Sequence, residues 1–166
     1  MNPEILFLKY AFPCSFVLQQ RGEINQDMFE YLERAVTQNE PVPQVVLEKI
    51  YFRAFSRIKA LARELGQSEY FTEDMIRRYF TIRHNELLDG KLTTNKDKGL
   101  DIDPKAPPVL KQLCKVHTAE IIEAGSDFYV VQFGEKKRPV SRKLVPDASI
   151  GDKVTIHYGY AVERVV

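Results

Sequence analysis

Cys14 and Cys114 are the two cysteines of the 166-residue chain. They lie too far apart in sequence to make a CxxC metal knuckle or a disulfide framework, so any chemistry they carry is that of single thiols. Cys14 follows Pro13 and precedes Ser15 and Phe16 in an apolar stretch that offers no charged group to activate a thiol, which is the setting of a core residue. Cys114 taken alone reads as a small buried hydrophobe, because free cysteine is among the most buried residue types. His157, in Val154-Thr155-Ile156-His157-Tyr158, taken alone reads as a strand histidine satisfied by a backbone carbonyl. His117 reads as structural. A Cys114/His157 nucleophile pair is conceivable, but no orienting carboxylate or amide can be assigned to it. Gly-rich phosphate loops, His-Glu-x-x-His helices and Gly-x-Ser-x-Gly elbows are all missing, so the sequence predicts a protein that is not an enzyme.

Charge offers two further constellations. Lys49, Arg53 and Arg57 recur at four-residue steps, with Lys59, Arg63, Arg77 and Arg78 beyond them. Glu48, Glu64 and Glu73 interleave with these cations, which predicts a salt-paired, solvated face rather than a nucleic-acid site. The net charge is only +1, so bulk attraction to nucleic acid is weak. Residues 1–90 hold 11 basic and 13 acidic side chains, which leaves the positive balance to the remainder. Much of it sits at Lys136-Lys137-Arg138 and Arg142-Lys143, where a basic hairpin and its return could dock an acidic partner. The plainer reading is a solvated hairpin tip.

The elements that must position these residues fall into an α+β arrangement. Residues 1–90 show apolar positions at three- and four-residue steps, which predicts a bundle of about four helices. The first starts at Asn2 with Pro3 in its first turn and is kinked or divided at Pro13. The second runs from Asn25 to about Thr37, with Ile24 and Phe29 spaced to staple its entry. The third, about 43–65, carries Leu47, Tyr51, Ala54, Ile58, Leu61 and Leu65 as one stripe, with Gly66 as its stop. The fourth, about 72–88, opens with Thr72-Glu73-Asp74. Residues 91–109 are polar and proline-rich, as in a linker. From 110 to 166 the period becomes alternating, and turn signals separate short β-branched and aromatic runs, which predicts a small antiparallel β-barrel. The apolar stretch Ile5 to Leu18 is interrupted by Lys9 and Pro13 and falls short of the roughly 20 residues that a bilayer span needs. With no basic region ahead of it, a secretory signal is not expected either, and a cytoplasmic protein without a membrane anchor follows.

Residues 110–166 also resemble a known family. Leu113-Cys114-Lys115-Val116 through Ile121-Ile122-Glu123 is similar to the opening of the HypC/HupF hydrogenase-maturation chaperones. Val131-Gln132-Phe133-Gly134, Arg138-Pro139-Val140-Ser141, Leu144-Val145-Pro146-Asp147, Gly151-Asp152-Lys153-Val154 and His157-Tyr158-Gly159-Tyr160-Ala161-Val162-Glu163 follow in the family's order. The resemblance implies an OB-like barrel carrying one exposed cysteine near its first strand, and Cys114 is the residue onto which that cysteine maps. It further implies transient handling of iron bearing cyanide and carbon monoxide ligands, with a HypD-like partner or a hydrogenase large subunit as the protein contact. His157 matches a characteristic histidine of the family and would ligate metal or steady the Cys114 thiolate. The chain departs from the pattern in placing Thr118-Ala119 at the family's Pro-Gly and in carrying a helical domain ahead of the cysteine. That domain is expected to add a docking surface or to mediate homodimerisation. The alternative is a protein- or nucleic-acid-binding module that uses the helices, with the barrel as a repurposed scaffold.

Overall fold

Helix starts in this chain are written by short polar side chains. Asn2, Asn25 and Thr72 each take extended backbone and accept a hydrogen bond from an N–H of the first turn, at Ile5 (3.1 Å), Met28 (2.9 Å) and Met75 (3.3 Å). The computed structural model describes residues 1–90 and 107–165. Residues 91–106 of the predicted linker lie outside the described residues. Pro108 and Val109, also assigned to that linker, belong instead to a helix.

The first helical rod is divided where Pro13 predicts: α1 (Pro3–Ala11), a 3₁₀ turn (Phe12–Cys14) and α2 (Ser15–Gln20). The second is α3 (Gln26–Gln38), closed by Asn39 in the left-handed region at φ 54°. The third, expected as one helix, is two: α4 (Gln44–Ile50) and α5 (Phe52–Glu64). They break at Tyr51, whose buried hydroxyl shares a 2.6 Å hydrogen bond with the Ser15 hydroxyl and whose ring meets Phe7 edge-on at 5.6 Å. The fourth is α6 (Glu73–Arg78), a π-helical segment (Tyr79–Arg83) and α7 (His84–Leu88).

From Leu6 to Ala11 α1 is buried on every face, as its nearly continuous apolar run predicts. Leu6, Phe7 and Leu8 have no exposed surface, and each such burial is worth about 1.5–3 kcal/mol. Phe7 packs among Tyr51, Phe55, Phe71 and Phe80 of the bundle. On the same helix, Lys9 donates to the Leu144 carbonyl (2.9 Å) and Tyr10 to a Glu163 carboxylate oxygen (2.9 Å), both in the barrel region. The stretch too short to span a bilayer is thus a central helix packed between the other helices and the barrel. Among the described residues no helix is long and apolar enough to cross a membrane.

After α8 (Pro108–Cys114) come β1 (His117–Ala124), β2 (Phe128–Phe133), β3 (Lys136–Ser141), β4 (Lys153–His157) and β5 (Tyr160–Val165). They close in the order β1-β2-β3-β5-β4, with β4 returning to β1. The expected antiparallel barrel is therefore mixed. β3 and β5 run parallel and meet at Ser141 and Tyr160, because one edge pair must close the ring after the crossover from β3 to β4. Alternating residues Ala119, Ile121, Tyr129, Val131, Val140, Val154, Ile156 and Ala161 fill the interior. Residues 110–114, assigned from sequence to the barrel, are helical and lead into it.

Candidate metal centre at the domain junction

β4 explains how a barrel histidine comes to face the helices. Val154, Thr155, Ile156 and His157 are all buried, although a strand points successive side chains to opposite faces. Val154 and Ile156 enter the barrel core, whereas Thr155 and His157 point outward and are covered by α1. Thr155 Oγ1 lies 3.3 Å from the Tyr10 hydroxyl, and His157 Nδ1 lies 2.8 Å from the Tyr10 carbonyl oxygen. A carbonyl can only accept, so Nδ1 carries a proton, and the lone pair the ring can offer a ligand is that of Nε2. Fixing one ring nitrogen to a backbone carbonyl is the usual way an imidazole is oriented as a ligand.

That lone pair meets sulfur from both domains. Cys14 closes the 3₁₀ turn after Pro13, and its Sγ lies 3.5 Å from His157 Nε2. Cys114 ends α8, and the Tyr158 N–H donates to the Leu113 carbonyl (2.9 Å), which ties that helix end to the β4–β5 hairpin. Donor atoms of Cys14, Cys114 and His157 all lie within 4.8 Å of one another. His84 lies nearby, with Nε2 4.0 Å from Cys114 Sγ and its ring 5.3 Å from that of His157. It opens α7 directly after the π-helical segment, a local widening that recurs at functional sites. Leu88, Leu113 and Tyr158 wall the sulfurs.

The electrostatics favour thiolate. The Cys114 thiol is held well below its ordinary range, first by the hydrogen bond from Cys14 and then by His157 and His84, against the opposing effect of burial. Such a thiolate is a soft donor, and beside imidazole nitrogen it makes a donor set for Zn²⁺ or iron. Cys114 is 2 % exposed, His157 0 % and His84 9 %, while Cys14 is half-buried. Cys14 also lines a small cleft with Leu18, Ile50, Tyr51, Arg53 and Ala54.

Cys114 and His157 are therefore brought together, as their resemblance to a metal-handling pair implies. Cys114 lies just ahead of β1, near the first strand as expected, but it is not exposed: it ends a helix and is buried, because the helices cover that end of the barrel. Cys14 is not a plain core residue, since His157 supplies the polar partner that its own helix lacks. His84 was not singled out by sequence, and no local pattern marks it, because its partners come from other elements. His117 is structural, stacked on Phe133 at 4.8 Å.

The basic hairpin is divided in use. Lys136 and Lys137 are exposed. Arg138 lies over the Phe133 ring at 5.3 Å. Arg142 donates to the carbonyls of Gly125 (2.7 Å) and Pro146 and covers Tyr129, and Lys143 reaches Glu33 of α3 at 3.3 Å. On the helices, Arg53 pairs with Glu23, Lys59 with Glu48, Arg77 with Glu73 and Glu163, and Arg78 with Asp74. The break at Tyr51 sets Lys49 on a different helix from Arg53 and Arg57, so the basic stripe is both paired and interrupted.

N-terminal helices pack against a small closed barrel, with a sulfur–imidazole cluster where they meet. Residues 114–166, beginning at Cys114 itself, match the HupF/HypC family. The match covers the barrel and leaves the helices ahead of it outside. No curated protein matches the chain.

Proposed function

We propose that the chain is a cytoplasmic accessory chaperone of nickel-iron hydrogenase maturation that contacts a HypD-like protein or a hydrogenase large subunit. The observation that carries this reading is the meeting of Cys114 and His157 in one cluster, within the segment that matches the HupF/HypC family. These two side chains would hold the iron fragment bearing cyanide and carbon monoxide, the cargo of the process, since thiolate suits low-valent iron. His157 is held ready by the Tyr10 carbonyl, and burial excludes competing water. The exposed Lys136 and Lys137 offer a docking point for an acidic partner surface. Co-purification of candidate partners with wild-type chain and with Cys114→Ala tests the reading. Loss of partner or iron with the variant supports it, and equal recovery removes the cysteine from the mechanism.

A second reading is favoured by one observation, the burial of Cys114 beneath the helices: the barrel serves as a scaffold for protein binding by the helical domain. In that case Cys114 is dispensable for partner recovery. The nucleic-acid form of this alternative is disfavoured by the paired cations of α5 and α6.

A further inference from the structure

The helical domain does more than cover the barrel cysteine: it contributes donors of its own. The Cys14 Sγ to His157 Nε2 separation is 3.5 Å. Zinc–sulfur and zinc–nitrogen bonds of about 2.3 and 2.0–2.1 Å at tetrahedral angles put such a pair about 3.6 Å apart. Cys114 completes a three-donor set within 4.8 Å. His84 Nε2 lies 4.0 Å from Cys114 Sγ, beside that three-donor set rather than within it, so it completes a tetrahedron only by moving in toward the other two donors. Its Nδ1 is buried without a hydrogen-bond partner, so no protein group pins the ring against turning a nitrogen toward the sulfurs. The ring is therefore not already committed to a protein partner at both nitrogens.

We propose that Cys14, Cys114, His157 and His84 together bind one divalent d-block cation of tetrahedral habit, of the Zn²⁺ and Co²⁺ class, held by this chain alone. Two sulfurs and two imidazoles are a donor set that favours tetrahedral over octahedral ions. Two donors come from the helical domain and two from the segment that begins at Cys114, so the ion also fastens the domains to each other. Binding displaces the Cys14 proton to solvent while Cys114 already stands as thiolate, and it involves no oxidation or reduction. The inference shares Cys114 and His157 with the maturation reading but needs no partner protein, so the two fail separately.

The test uses the full chain, reduced and stripped by chelator, titrated with Co²⁺ and followed by absorption. One equivalent is expected to produce intense tetrahedral d–d bands and a thiolate-to-cobalt charge-transfer band, both removed by Zn²⁺. Cys14→Ser and His84→Gln should each weaken binding ~100-fold or more, and Cys14→Ser should also diminish the charge-transfer band. Zn²⁺ should raise the thermal midpoint of the wild type, and His84→Gln should abolish most of that rise while its metal-free midpoint shows it still folds. Weak octahedral bands from the wild type, or affinities unchanged in both variants, would overturn the proposal. Unchanged partner recovery in those variants bears on the maturation reading and leaves this one standing.

Discussion

Replacing Tyr10 by Phe keeps the backbone carbonyl that orients His157 and deletes only the hydroxyl that ties α1 to the barrel. That hydroxyl donates to a Glu163 carboxylate oxygen at 2.9 Å and lies 3.3 Å from Thr155 Oγ1. A hydrogen bond to a charged group contributes about 1.5–3 kcal/mol. Arg77 still holds Glu163 at 2.7–3.1 Å, and Thr155 retains the Glu163 carbonyl at 3.4 Å, so neither partner is left alone. The loss should thus fall at the low end, about 1.5–2 kcal/mol. For a chain of this size each kcal/mol moves the thermal midpoint by roughly 2–4 °C, which gives a fall of about 3–8 °C. Calorimetry or thermal circular dichroism reads the shift, and a double-mutant cycle with Glu163→Gln isolates the pair. The cycle should show coupling of about 1 kcal/mol or more. A midpoint unchanged within error, or additivity within about 0.3–0.5 kcal/mol, would refute the claim that α1 is fastened to β5 through this contact.

Three other outcomes follow from the same contacts. Asn85 donates to the Val116 carbonyl (2.8 Å) and accepts from its N–H (2.9 Å), so Asn85→Ala should cost about 1–3 kcal/mol in urea unfolding, and a neutral result would show the pairing to be incidental. Burial raises the phenols of Tyr10 and Tyr51 above their ordinary value of 10.0. Their contribution to stability is complete below pH 10 and is lost as pH climbs through their higher native values, so a stability–pH profile should decline from about pH 10 upward; a flat profile there contradicts the burial. Charge reversal of Lys136 and Lys137 should lower recovery of an acidic maturation partner and weaken its salt dependence, whereas unchanged recovery would take the hairpin out of the interface.

The helical domain was legible where a side chain acts on its own backbone. Asn2, Asn25 and Thr72 announce helix starts, and Pro13 announces the division of the first rod, because capping and proline geometry are local. The break at Tyr51 was not legible, since the apolar stripe continues across it and only the pull of Ser15 and Phe7 turns the chain there. The barrel was legible from alternation, but its parallel closure at Ser141 and Tyr160 depends on which edges remain after the ring is laid out. Cys114 and His157 were identified through the resemblance. The donors from the helical domain were invisible because Cys14 and His84 owe their placement to a docking interface that no spacing in the sequence encodes. The same interface buries Cys114.

The account rests on two domains building one metal-binding cluster, and the X-ray absorption fine structure of the zinc-loaded full chain addresses it most directly. Two sulfurs at about 2.3 Å and two nitrogens at about 2.0–2.1 Å are the expected shell, falling to one sulfur in Cys14→Ser. A shell with a single sulfur in the wild type, or one of oxygen and nitrogen alone, would contradict the account.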